Sequence, residues 1–383
     1  MLWQTQTPGE EGHSTAQARQ LMLLAIRDPL QVVRLPPRDL DLTIRIMRRA
    51  RLLGRLAWHL KQADLLQNLP RVARDALVGA LALTEARARA ARWELERIAY
   101  ALQGSGVENV VALKGCAYLI SGLPNAAGRL FADVDLLVAE SELATVESHL
   151  TARGWRAMEL TPYDENYYRV WAHELPPLKH VERDVEVDLH HNVVMRTSRA
   201  RPDPQLLLAR AREIPGSSFH VLAPIDMVLH AMTHLFYGGE MDDAVRDLVD
   251  IDDLLRHFAQ HEPSFWSGFW PRAMQLDLQR PAFCALRYAS RLLGTPVPES
   301  VLRESQAAAP AAPVLTLLDG CVPEALFPQH PDRHSRATAF ARLLMYVRSH
   351  WVRMPPVMLA RHLAHKFYAR HFGSTLTVGE LYK

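Results

Sequence analysis

The chain is 383 residues long, with half its residues apolar (49%), about a fifth charged (22%) and a formal net charge of +2. That length exceeds one ordinary domain and predicts two or three packed units. The composition is that of a soluble globular protein, and so small a net charge offers no global attraction to nucleic acid, so any basic surface has to be local.

Only five of the 44 basic residues are lysine, so Lys114 stands out against an arginine background. Cys116, Cys284 and Cys321 are scattered without metal-type spacing, which argues against a disulfide framework and a zinc site. The polar start, with Glu10 and Glu11, does not read as a signal peptide. No apolar run approaches the roughly 18–20 residues that span a bilayer. A cytoplasmic protein with no membrane span is expected.

In chain order, 1–16 reads as a flexible lead and 17–103 as a helical region, with breaks near 34–38 and 67–70. Its last helix carries Ala88, Ala91, Leu95, Ile98 and Leu102 at three- and four-residue spacing, and Gly104-Ser-Gly106 ends it. A core over 104–200 follows. A short strand at 109–113 leads into Lys114-Gly115-Cys116 and a helix, then a strand at 130–138 and an amphipathic helix marked by Leu143, Val146 and Leu150. Strand-like pieces are expected near 155–160, 165–172 and 178–182, then a strand at 184–190. From 201 to 383 the pattern is helical throughout, ending in an Arg/His-rich pair broken at Pro355-Pro356. The expected fold is α+β: a small mixed sheet flanked by N- and C-terminal helical regions.

Two strands carry the chemistry. Arg129-Leu-Phe-Ala-Asp-Val-Asp-Leu-Leu-Val138 and Val185-Glu-Val-Asp-Leu-His-His191 both alternate acidic with apolar residues. A period of two puts Asp133 and Asp135 on one strand face, and Glu186, Asp188 and His190 on another. Adjacent carboxylates on one face repel and are costly to desolvate, and a divalent cation between them reverses that balance. Hard oxygen ligands on rigid strands suit Mg²⁺ or Mn²⁺ better than zinc.

Taken in order, Leu113-Lys-Gly115, Arg129, Asp133-Val-Asp135 and Asp188-Leu-His190 resemble the DNA polymerase β-like nucleotidyltransferase superfamily, most closely its family of uncharacterised bacterial nucleotidyltransferases. The resemblance spans about residues 95–255 and is strongest over 110–190. It implies an enzyme of the nucleotidyltransferase type that moves a nucleoside monophosphate from an NTP, such as ATP, to an acceptor hydroxyl, releasing pyrophosphate. Asp133, Asp135 and Asp188 would hold the magnesium ions. Lys114, Gly115, Arg129 and His190 would contact nucleotide or acceptor. The acceptor would be a small molecule, a peptide or protein, or RNA. In the wider superfamily a serine usually follows the glycine, where this chain has Cys116.

Blander alternatives stand beside each of these. The paired aspartates can be a solvated strand face, Lys114 a surface residue, Arg129 a structural counter-ion, Gly115 a turn glycine and His190 a structural histidine. Cys116 reads as a small buried hydrophobe. His230 and His234 share a helix face but lack the glutamate of a zincin motif, so interior histidines are expected. Asp242, Asp243, Asp247, Asp250, Asp252 and Asp253 read as a solvated helix face, with Arg246 and Asp250 as an i,i+4 pair. Asp247 or Asp250 touching the acceptor is the sharper alternative. Arg348, Arg353, Arg361, Lys366 and Arg370 among Trp351, Phe367 and Tyr368 read as a packed helix pair rather than an RNA- or membrane-binding surface. At the level of function, the rivals are a metal-dependent glycosyltransferase using the Asp-x-Asp strand and a non-catalytic nucleotide-binding scaffold.

Overall fold

The structure, a computed structural model, describes residues 13–364 apart from Asp184, Glu240 and His362. Most of the expected lead, and Lys366, Phe367, Tyr368 and Arg370, lie outside the described residues.

The N-terminal part is helical: α1 (Thr15–Arg27), α2 (Pro37–Arg49), α3 (Leu53–Gln62) and the long α4 (Arg71–Ala101). Ser14 caps α1 in a capping box with Gln17, so the helix starts inside the expected lead. The predicted breaks are real, each holding a 3₁₀ turn and a proline that opens the next helix. Ala91, Leu95 and Ile98 of α4 are buried, and the chain leaves the helix through Gly104 at φ +77.

The middle of the chain builds a mixed sheet. Its elements are β1 (Val111–Ala112), α5 (Lys114–Ile120), β2 (Asp133–Leu137), α6 (Leu143–Ala152), β3 (Trp155–Ala157), α7 (Pro162–Asn166), β4 (Leu178–His180) and β5 (Glu186–His190). After α8 (Pro204–Leu208) come β6 (Arg212–Glu213) and β7 (His220–Val221). The seven strands lie in the order β3-β4-β5-β2-β1-β7-β6, with β2 parallel to β5 and β1 parallel to β7.

Two expectations need correction. Residues 165–171 are helical, continuing α7 as a π turn over Tyr167–Trp171, and Ala172 ends it in extended backbone. Tyr163, Tyr167 and Trp171 sit four residues apart, and the Trp171 ring packs at 5.9 Å from Tyr163 and 6.2 Å from Tyr167, a helical stripe that the aromatic composition disguised. The chain is also not helical throughout after 200. Pro215-Gly216 turns a β6–β7 hairpin, and β7 extends the sheet beside β1.

The remaining helices are α9 (Pro224–Gly238), α10 (Ala244–His261), α11 (Phe265–Gln275), α12 (Gln279–Tyr288), α13 (Glu299–Ser305), α14 (Ala312–Leu326) and α15 (Arg336–Arg353). Helix resumes at Pro356 after the Pro355-Pro356 break. One continuous cluster of buried apolar side chains runs from Met22 of α1 through Val134 and Leu189 of the sheet to Met345 of α15. The flanking helices therefore grip the sheet directly and hold its acidic face in place. Among the described residues, no helix is long and apolar enough to cross a membrane.

Candidate active site

Strands β2 and β5 pair in parallel, with Asp133 opposite Glu186, Asp135 opposite Asp188 and Leu137 opposite His190. Val134, Leu136, Val187 and Leu189 point the other way and are fully buried, so the apolar half of each alternation anchors the acidic half. One carboxylate oxygen from each of Asp133, Asp135 and Asp188 lies within 4.8 Å of the others. Asp133 is exposed and Asp135 buried, while Asp188 has a buried Oδ1 with no hydrogen-bond partner among the described residues.

The positive charge beside these acids converges on a single oxygen. Lys114 Nζ lies 2.7 Å from Asp135 Oδ1, and His190 Nε2 lies 3.0 Å from the same atom. Lys114 sits at the junction of β1 and α5 with φ +44, a left-handed conformation that a non-glycine residue adopts at a cost. Its ammonium is not a surface group. Burial alone would lower its pKa, but the charges of Asp135 and Asp133 together hold it above its ordinary value. Burial would raise the Asp135 carboxyl, and Lys114 and His190 outweigh that and hold it well below the carboxylate range. At Asp188 the same two cations are outweighed: burial, then the charges of Asp135 and Glu174, push its carboxyl up to about 8. Asp133 is raised too, first by Asp135 and then by burial.

Arg129 reaches the site from the loop before β2. Gly128 makes that approach possible: at φ +65 it packs against the Gly54 backbone, where a Cβ would collide. Arg129 pairs with Asp250 on α10 and lies 5.4 Å above the Tyr118 ring. A Cβ on Gly115 would come within 3.1 Å of Arg129 Nε and 3.3 Å of Phe131, so the missing side chain of Gly115 makes room for the arginine.

Of the acidic run expected to be a solvated face, only Asp242, ahead of α10, is exposed. Asp250 and Asp252 are buried, and Asp250 takes Arg129 rather than Arg246. Arg246 turns instead to Asp243 at 3.0 Å and Asp247 at 3.1 Å. Helical spacing alone had suggested the Arg246–Asp250 pair, but Arg129, arriving from the sheet, occupies that carboxylate.

These elements enclose a cleft of about 330 Å³. Lys114, Gly115, Arg129, Asp133 and Asp135 line it, together with Arg51, His234, Asp243, Arg246, Asp247 and Asp250 among others. Its walls carry four cationic and six acidic side chains, an excess of negative charge that favours a bound cation. Asp188 and His190 are not among its walls, although Asp188 is the register partner of Asp135. His234 faces the cleft 3.4 Å from Asp247, whereas His230 is buried in α9. Neither belongs to a group able to hold a metal among the described residues. Arg51, which lines the cleft, and Glu174, beside His190, drew no notice in the sequence because only long-range folding brings them here.

The aspartate cluster fits a hard divalent ion. It offers hard oxygen donors only, one of them a buried orphan.

A family model described as "Uncharacterised nucleotidyltransferase" matches residues 36–294, which include every strand of the sheet and the acidic helix α10. No curated protein and no solved structure matches the chain. With its matched region covering most of its length and carrying the whole cleft, the chain belongs to this family of nucleotidyltransferases.

Proposed function

We infer that this protein transfers a nucleoside monophosphate from an NTP to an acceptor hydroxyl, with pyrophosphate leaving, and that Asp133, Asp135 and Asp188 hold the Mg²⁺ or Mn²⁺ the reaction uses. The observation that carries this is the register of β2 on β5, which gathers three carboxylates within 4.8 Å on rigid backbone beside a charged cleft. Family membership supports nucleotidyl transfer in general. The ion, once bound, supplies Lewis-acid stabilisation of the phosphoryl oxygens and a more acidic attacking hydroxyl.

The chain's own residues do the rest. Arg129 is a planar fork suited to phosphate oxygens, and stacking on Tyr118 fixes its plane. Asp250 holds the guanidinium at the cleft wall. Lys114 keeps Asp135 ionised and adds a point charge beside the nucleotide phosphates. The walls made by α9 and α10 face the acceptor, so the nature of the accepting molecule is decided by the helical half of the protein.

The test uses purified protein with Mg²⁺ or Mn²⁺ and each α-labelled NTP, read by pyrophosphate release and by labelling of the protein itself and of a cell extract. Metal-dependent transfer that is lost in Asp133→Ala and Asp188→Ala is expected. Absence of metal-dependent NTP binding, or activity left unchanged by both substitutions, rejects the assignment.

A further inference from the structure

A second group of ligands lies just behind the first. The segment 173–175 is tied to the end of β5: Leu175 N–H donates to Leu189 O at 2.9 Å, His191 N–H donates to His173 O at 2.9 Å, and Glu174 forms a bridge with His190. These bonds place three side chains together. His190 Nδ1 lies 3.3 Å from Glu174 Oε2, and His173 Nε2 lies 3.8 Å from the same oxygen. One donor atom of each residue lies within 4.8 Å of the other two. The His173 and His190 rings face each other at 5.3 Å, tilted by 42°.

We propose that His173, Glu174 and His190 form a second metal site, distinct from the three aspartates, that takes a divalent transition ion of the Zn²⁺ class.

Four features support it. Bonds of about 2.0–2.1 Å in a tetrahedral arrangement put donor atoms roughly 3.4 Å apart, close to the spacing seen around Glu174 Oε2. The Nδ1 atom of His190, the one that faces Glu174, is buried without a hydrogen-bond partner among the described residues, and a ligated ion is a common reason for such an orphan. Two imidazoles and one carboxylate select Zn²⁺, Co²⁺ or Fe²⁺ over Mg²⁺, whereas the all-oxygen aspartate cluster does the reverse. Finally, His190 has the outer partner that metal-bound histidines need. With Nδ1 on an ion, Nε2 carries the hydrogen and donates to Asp135 Oδ1, 3.0 Å away. The charges of Lys114 and Arg353 act on this group as well, beside the carboxylates of Asp133, Asp135 and Glu174. The two sites thus meet at one imidazole, which contacts an aspartate on one side and the ion on the other.

Without an ion, a protonated His190 bridging Asp135 and Glu174 would account for the same distances, and the experiment separates the two. The full-length protein is stripped with chelator and titrated with Co²⁺ under excess Mg²⁺, which occupies the aspartates. The expected result is one equivalent of Co²⁺ giving visible d–d bands that Zn²⁺ displaces. Binding should weaken at least tenfold in His173→Ala and in Glu174→Gln, and persist in Asp133→Asn and Asp188→Asn. His173 is partly exposed, so its variant tests the site even where the buried His190→Ala fails to fold. No Co²⁺ binding under excess Mg²⁺ overturns the proposal. So does binding unchanged in both His173→Ala and Glu174→Gln, which would place the ion on other histidines. Loss only in the aspartate variants overturns it too, since the ion would then sit on the first cluster. The readout is a spectrum, so it stands or falls independently of the nucleotide reaction.

Discussion

Six aspartates lie on and just before α10, and each has its own cation: Arg342 for Asp242, Arg51 for Asp243, Arg246 for Asp247, Arg129 for Asp250, Arg256 for Asp252 and Arg55 for Asp253. The three aspartates of β2 and β5 share Lys114 and His190, and both of those act on one oxygen of Asp135. The helix holds more acids than the strands, so counting carboxylates would have pointed to α10. What separates the regions is the charge left over after pairing. A paired aspartate holds structure together, while an unpaired buried one is unfavourable until a cation arrives.

Removing a partner from the paired region should produce the largest change in stability. Arg129→Ala leaves Asp250 buried without its cation and should cost about 3–5 kcal/mol, read as a lower midpoint in urea unfolding. A midpoint shift below about 1 kcal/mol would show that the two regions are not electrostatically different in the way described.

The next effect is on metal affinity. Asp188, pushed up to about 8, holds a proton below that pH in the metal-free protein and must release it when a divalent ion binds. Mn²⁺ affinity measured by calorimetry should therefore rise as pH increases from 6 to 8, by up to about tenfold per unit, and then level off. Asp188→Asn should flatten that slope. A flat profile in the unaltered protein would place the ion elsewhere.

The last effect has the opposite sign to the first. Between the ordinary carboxylate value of about 3.9 and the folded value of about 8, Asp188 is ionised in the unfolded chain and protonated in the folded one. Stability then falls as pH rises through that window. Asp188→Asn removes the penalty, so the metal-free variant should gain stability at pH 7.5, by up to about 1.4 kcal/mol for each pH unit above the unfolded value, and little at pH 4. Thermal melts of the two proteins at both pH values check it. A variant destabilised equally at both would mean that Asp188 is structurally satisfied in the fold.

Much of this was legible in the sequence because it depends on local periodicity. The alternation of Asp133, Val134, Asp135 and Leu136 with Val187, Asp188 and Leu189 specified strands and their acidic faces, and Leu95 and Ile98 marked the buried side of α4. Short elements were harder. The two-residue strands β6 and β7 carry no period of their own, and the stripe of Tyr163, Tyr167 and Trp171 was hidden by residue types that favour strands.

The sequence by itself determined which residues share a face, because side-chain direction follows from the backbone repeat a few residues at a time. Only the tertiary structure decided which charges meet. Pairing β2 with β5 in register set Asp135 beside Asp188 across a gap of more than fifty residues. Packing α10 against the turn at 124–126, just ahead of Arg129, gave Asp250 to Arg129 instead of Arg246. Folding residues 173–175 onto β5 put Glu174 against His190. Electrostatic energy depends on separation through space, and separation along the chain fixes that only within a helix turn or a strand pair.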